Sequence, residues 1–343
     1  MKNLFLFLLI CTITSCSNHD LIKGHHLVVE NFPEKIQLIG NKVETINSIG
    51  INKLYVIDTF LLCFKASGLE EFFDVYSTQS MEYLGKCVSP GRGPNEFLSI
   101  QYNNQYIQDS TKIQMWIKDD ATLKLALLNL TKSLKTQKTI IDSNIYLSAL
   151  NYGCGFINKD ILINISNEPP KTYLKTYNLK TDSIYPTITM FKDPYDNEDE
   201  TMHNMMIEFK PDKQKFISAF RRFNQINIFS TKFTNILSIS VYKPTISTRK
   251  VLQTSREDRI EFFSDIYATD TYFFTLYINQ PKSTWDQHFD YIEIQKWDWE
   301  GNPILKFLIS DNLIYFTVDT KHKCIYGLNS NEEIFKYDIK EYI

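Results

Sequence analysis

The sequence predicts an all-β protein, a six-bladed β-propeller, from three observations: a strand-turn-strand pattern recurs six times, strand-forming residues dominate, and the last copy stops one strand short. Each copy is an apolar strand that reaches an aromatic residue or leucine, meets a polar residue and turns back. The copies read Phe72-Phe73-Asp74-Val75-Tyr76-Ser77, Leu125-Ala126-Leu127-Leu128-Asn129, Leu174-Lys175-Thr176-Tyr177-Asn178, Ile226-Asn227-Ile228-Phe229-Ser230, Ile294-Gln295-Lys296-Trp297-Asp298 and Ile334-Phe335-Lys336-Tyr337-Asp338. Anchored on Tyr76, Leu128, Tyr177, Phe229, Trp297 and Tyr337, they stand 52, 49, 52, 68 and 40 residues apart, near the ~50-residue period of the longest propeller blades. Aromatic residues make up 14% of the chain, with 20 Tyr and 24 Phe, and these side chains suit a pleated surface.

In chain order, the first element is a leader. Met1-Lys2 gives a positive start, and the apolar run over residues 4–13 is long enough for a secretory signal but too short to span a bilayer. Ile13-Thr14-Ser15-Cys16 resembles the lipobox of bacterial lipoproteins. That resemblance implies cleavage after residue 15, lipidation of Cys16 and a membrane partner reached through the anchor. The expected location is the cell envelope, at the outer membrane, facing the periplasm or the cell surface. Residues 16–26 are polar and aperiodic and are expected to form a tether; residues 27–343 form the propeller domain.

Within that domain the inner strand of blade one is expected over residues 54–58, with further strands near 61–65 and 72–76 and a return at 81–86. Blade two is expected to begin at Lys112-Ile113-Gln114-Met115-Trp116, blade three at Asp160-Ile161-Leu162, blade four at Lys215-Phe216-Ile217, blade five at Tyr272-Phe273-Phe274 and blade six at Cys324-Ile325-Tyr326. Residues 121–130 carry enough leucine for a short helix, but Leu123, Leu125 and Leu127 alternate, so strand is the reading. Residues 193–206 and 242–259 fall outside the repeat, as loops or a small helix. The chain ends just after the polar turn of the sixth copy, and residues 28–46, centred on Ile36-Gln37-Leu38-Ile39, have no blade of their own. This segment is expected to pair with residues 334–337 and complete the last blade, because an open ring would expose two sheet edges.

One local motif stands out, Gly91-Arg92-Gly93-Pro94-Asn95-Glu96-Phe97. It resembles the Gly-Arg-Gly-Pro-x-Glu-Phe loop of the TolB-like six-bladed propeller lipoproteins of Bacteroidota. The resemblance implies a single six-bladed propeller on a lipid anchor and no particular reaction. The glycines and Pro94 make a rigid turn, so Arg92 and Glu96 either pair and lock blade one to blade two, or Arg92 meets an anionic ligand with its planar fork.

Polar residues at strand ends supply the remaining candidates: Asp58, Asp119, Asn164, Arg221, Asn279 and Asn329. If these line a channel they form a hydrogen-bonded wall, or, with their carboxylate and amide oxygens, hold Ca²⁺ as in a lactonase or esterase. No cofactor is required by the first reading. The formal charge is −3, and no basic block marks a nucleic-acid footprint. The acidic run over residues 193–200 lacks the spacing of a calcium loop. Cys63, Cys87, Cys154 and Cys324 have no metal-ligand spacing, and Cys63 and Cys324 sit in apolar surroundings as buried thiols. Hydrolase, nucleotide and dinucleotide motifs are absent from the sequence. The reading is therefore a monomeric, non-enzymatic binding or scaffolding module with a protein or glycan partner, exposed Trp285 and Trp299 being candidates for sugar contact; the alternative is the calcium-dependent hydrolase.

Overall fold

Every one of the six sequence copies becomes the third strand of an antiparallel meander. In the computed structural model, which describes residues 21–22, 24–66, 70–147, 154–168, 171–184, 188–189, 202–233, 236–285, 287 and 290–343, the meanders form the six blades of a propeller. Blade one comprises Ile51–Ile57, Phe60–Lys65, Phe73–Ser77 and Tyr83–Cys87. Blade two comprises Ile100–Gln108, Ile113–Asp119, Lys124–Asn129 and Ile141–Tyr146. Blade three opens with the short strand Cys154–Phe156, continues through Ile161–Glu168 and Lys171–Asn178, and closes with Ser183–Ile184 and Ile188–Thr189. Blade four runs through Met205–Phe209, Lys215–Phe220, Gln225–Ser230 and Ile236–Val241, and blade five through Ile260–Ala268, Tyr272–Pro281, Ile292–Asp298 and Pro303–Ile309. Blade six has Leu313–Asp319, Cys324–Asn329 and Ile334–Asp338.

The first strand of each blade is the innermost, so the expected parse was one strand late from blade two onward. The segments beginning at Lys112, Asp160, Lys215, Tyr272 and Cys324 contain second strands, and only in blade one is the expected inner strand the true one. We call the face where inner strands begin the upper face, and the face where they end the lower.

Ring closure follows the expectation at its key point. Asn41–Lys42 pairs antiparallel with the last strand, Lys42 opposite Phe335 and Asn41 opposite Lys336, and Val43 N donates to Ile334 O at 2.8 Å. The centre of the segment goes elsewhere: Lys35–Gln37 lies parallel on the outer strand of blade five, and His25–Val29 lies parallel on that of blade four. The amino-terminal segment is thus a strap that covers three successive sheet edges. Leu21 and Ile22, expected in the tether, are buried against Phe216, Phe220 and Phe223, so the chain is tied to the propeller from residue 21 onward. Residues 16–20, Cys16 among them, lie outside the described residues.

The core is divided, with a cluster of buried apolar side chains between each pair of neighbouring blades. A blade packed on both faces needs apolar residues on both faces, which is why the third strand of blade one is buried at four consecutive positions. At Gly155 on the inner strand of blade three, a β-carbon would stand 2.2 Å from the ring of Phe209, so glycine lets blade four close on blade three. Residues 124–129 are strand, as alternation predicts, and a helix (Leu130–Thr136) follows at once, capped by Asn129, whose side chain accepts from Lys132 N. The stretch 242–259 contains the small helix Thr248–Gln253. All four cysteines of the described residues are buried and none is in a disulfide.

Candidate functional site

The inner strands carry polar side chains into the axis of the ring, and the upper and middle channel is where they are paired. Lys53 of blade one meets Asp265 of blade five at 2.8 Å, reaching past the inner strand of blade six. That strand contributes Phe316 N, which donates to the other Asp265 oxygen at 3.1 Å, and Ile266 N also donates to the carboxylate. Asp265 sits at a register shift between Phe263 and its partner strand, a bulge of the kind that re-aims a side chain. Burial opposes the charge on Lys53, but Asp265, Tyr55 and Glu208 more than compensate, and its pKa rises. Nearer the upper face Arg221 pairs with Glu261 at 2.5 Å.

Towards the lower face the pairing runs out. Glu208, at 5% exposure, ends the inner strand of blade four. Its Oε1 accepts from Asn104 Nδ2 of blade two at 2.9 Å, across the short inner strand of blade three. Asn104 adopts φ 52° within an irregularity between Tyr102 and Tyr106, which lets its amide cross the axis. Burial pushes the Glu208 carboxyl up, Lys53 pulls it down and Asp265 pushes it up again, leaving its pKa at about 8. The phenols of Tyr55, Tyr102 and Tyr267 are all held above their ordinary range, first by burial, with Glu208 contributing to each. They are hydroxyl donors at neutral pH, and the buried Tyr102 hydroxyl has no partner.

Beyond Glu208 opens a cavity of about 220 Å³, walled by Asn104, Tyr106, Tyr267 and Thr320 and rimmed by Lys213 and Asp270. Lys213 lies in the first turn of blade four, makes no ion pair among the described residues, and is held below the ordinary lysine range by burial.

The residues expected from sequence do not converge. Asp58 and Arg221 reach the channel ends, but on opposite faces, Asp58 pairing with Lys321 at 3.1 Å. Asp119 holds Leu98 N and Ala121 N, and Asn329 holds Asn331 N and Glu333 N, so both are turn-forming groups. Asn279 is exposed on a second strand, and Asn164 is buried within the second strand of blade three. They do not make a calcium ligand set, and among the described residues no group of three His, Cys, Asp or Glu side chains does. In the Gly-Arg-Gly-Pro loop, Glu96 does not pair with Arg92: its carboxylate accepts from Gly93 N at 2.8 Å, and its carbonyl accepts from Lys124 Nζ of blade two at 2.7 Å. Arg92 is exposed on the blade connector. Trp299 is buried, donating to Thr269 O, and Trp285 is half-buried.

Sequence reasoning missed Asn104, Glu208 and Asp265 because it began blades two, four and five one strand late, and missed Lys53 because it began the inner strand of blade one at Leu54. Their signal is a polar side chain set among apolar or aromatic neighbours in a strand, as in Ile51-Asn52-Lys53-Leu54-Tyr55 and Met205-Met206-Ile207-Glu208-Phe209.

Six four-stranded blades around a polar axis, closed by the chain's own beginning, define the class of six-bladed propellers. The model of the family described as TolB-like 6-blade propeller-like matches residues 52–321, and the chain belongs to that family. No curated protein matches it. Among solved structures it is similar to a protein of Bacteroides fragilis NCTC 9343 designated as exported, at 12% identity and a TM-score of 0.56, covering 92% of this chain and 98% of that one. Looser similarity links it to the propeller domain of Myceliophteria thermophila Cps50 (Swd1), at 10% identity and TM-score 0.46 over 88% of this chain and 100% of that one. Kuenenia stuttgartiensis hydrazine synthase follows at 10% identity and TM-score 0.47, over 86% of this chain and 78% of that one.

Proposed function

We propose that the protein is a cell-envelope binding module, lipid-anchored through Cys16 at the outer membrane, that holds a small ligand in the lower end of its channel without transforming it. The observation that carries the reading is the cavity of about 220 Å³ lined by Glu208, a buried carboxyl with one oxygen held by Asn104 and the other accepting from no described residue. A buried polar group placed against a partly open cavity, with a pKa far from its ordinary value, marks a candidate ligand site. Among the described residues no activated nucleophile faces it: Glu208 is bonded to an amide, not to a serine, cysteine or histidine. The apolar leader and Cys16 support export and anchoring, in keeping with the exported fold neighbour.

The test has two arms. Palmitate labelling of the protein in its host is expected, and is expected to vanish in Cys16→Ser. Purified protein incubated with small molecules extracted from the envelope, then desalted and analysed by mass spectrometry, is expected to retain a compound that Thr320→Trp, which fills the cavity, does not retain. Identical retention by the two proteins would refute the cavity as the binding site.

A further inference from the structure

The two ends of the lower cavity carry opposite, uncommitted charge capacity. At the floor, the second oxygen of Glu208 accepts from no described residue, while Asn104 fixes the first. At the rim, Lys213 has no carboxylate partner among the described residues, and burial accounts for its perturbation. The neighbouring Lys210 is already paired with Asp212 and so is not equivalent to it. Between floor and rim stand Tyr106 and Tyr267, with the unpartnered Tyr102 hydroxyl behind them.

We infer that the cavity receives a small zwitterion, of the size of an amino acid, with its ammonium group against Glu208 and its carboxylate against Lys213. This rests on the cavity being a ligand site. A simple anion would engage Lys213 but leave the Glu208 carboxyl with Asn104 as its one hydrogen-bonded partner among the described residues. A simple cation leaves Lys213 half-enclosed and unpaired, whereas a zwitterion satisfies both ends. Size agrees, since about 220 Å³ lies below the ~300–1,000 Å³ of pockets for drug-sized ligands.

The geometry also predicts a linked proton. The charged groups acting on Glu208 are Lys53 from blade one, which favours its ionisation, and Asp265 from blade five, which opposes it. Asp270 of blade five lines the same cavity as Lys210 and Lys213 of blade four's own turn, and among the described residues no ion pair joins it to either lysine. The remaining titratable neighbours are the phenols of Tyr55, Tyr102, Tyr106 and Tyr267, all raised first by burial and neutral in the working range, with Asp58 and Asp270 also acting on Tyr106. An ammonium group seated on Glu208 favours the carboxylate, so below a pH of about 8 the carboxyl gives up its proton to solvent on binding.

Isothermal titration calorimetry of the purified mature protein against the common L-amino acids and dialanine tests this. For the best binder, the corresponding amine lacking the carboxylate and the acid lacking the amine are expected to bind about tenfold or more weakly. Glu208→Gln is expected to weaken the zwitterion and the amine but not the acid; Lys213→Ala is expected to weaken the zwitterion and the acid but not the amine. Repeating the titration in buffers of different ionisation enthalpy is expected to show release of up to one proton at about pH 7 and none at about pH 9. Equal binding of zwitterion and half-molecules, binding unchanged in both variants, or no binding at about 10 mM, a free energy of only ~3 kcal/mol, would overturn the inference. If an envelope compound retained by the protein and lost in Thr320→Trp proves to be a sugar or a metal ion, the inference falls and the cavity reading stands.

Discussion

The middle and the lower end of the channel use the same chemical group to opposite effect. Asp265 and Glu208 both sit on inner strands, close enough for each to influence the same lysine. Asp265 receives the Lys53 ammonium and two backbone N–H groups, which hold three blades in register. Glu208 receives one amide and lines a cavity, its other oxygen accepting from no described residue. A buried carboxylate with its full set of donors stabilises the charged form, while one with a partial set resists ionisation. The difference teaches that the ring is tied together around blades one, five and six and left incomplete between blades two and four.

Breaking the completed half is expected to have the largest effect. Asp265→Ala strands the enclosed Lys53 charge and the Phe316 amide, and removing one partner of such a pair costs about 3–5 kcal/mol. Urea unfolding should show this as a fall in midpoint, and a Lys53→Met, Asp265→Leu double variant should lose less.

The incomplete half sharpens the comparison through pH. Glu208 has a folded-state pKa of about 8 against an ordinary value of 4.5, so between these the folded protein holds a proton that the unfolded chain has lost. Stability from this group is present below about pH 4.5 and declines as pH rises towards about 8, by something on the order of 2 kcal/mol or more. Glu208→Gln is expected to flatten that decline, with an unchanged melting temperature near pH 5 and a higher one near pH 9. A parallel decline in the variant would show that the carboxyl is not the source.

The rim gives the smallest effect. Lys213 has no ion-pair partner among the described residues, so Lys213→Ala is expected to move unfolding free energy by no more than about 0.5 kcal/mol. A larger loss would place Lys213 in the fold and not at the mouth of the site.

These contrasts also explain what could be read from the residues. Tyr76, Leu128, Tyr177, Phe229, Trp297 and Tyr337 all fall in third strands, the strands sandwiched between neighbouring blades. There apolar packing on both faces is obligatory, so the repeat is sharp. Inner strands alternate between that packing and the axis, and the axis takes Lys53, Asn104, Glu208 and Asp265, which blur the pattern. The closure at Asn41–Lys42 was legible because the sixth copy visibly lacks a strand; the parallel additions of His25–Val29 and Lys35–Gln37 were not, because a parallel edge strand needs no turn to announce it. The Gly91 loop was legible as a turn, but the partner of Glu96 was not, since Gly93 N and Arg92 stand three and four residues before it and both can donate.

Six blades and a ring closed by the amino-terminal segment were set by the residues alone, because strand periodicity and a missing strand are local properties of the chain. Only the tertiary structure decided which polar groups share the axis. Lys53 and Asp265 stand 212 positions apart and Asn104 and Glu208 stand 104 apart, and no local pattern states which distant side chains a ring of sheets will bring face to face, or which one it will leave without a partner.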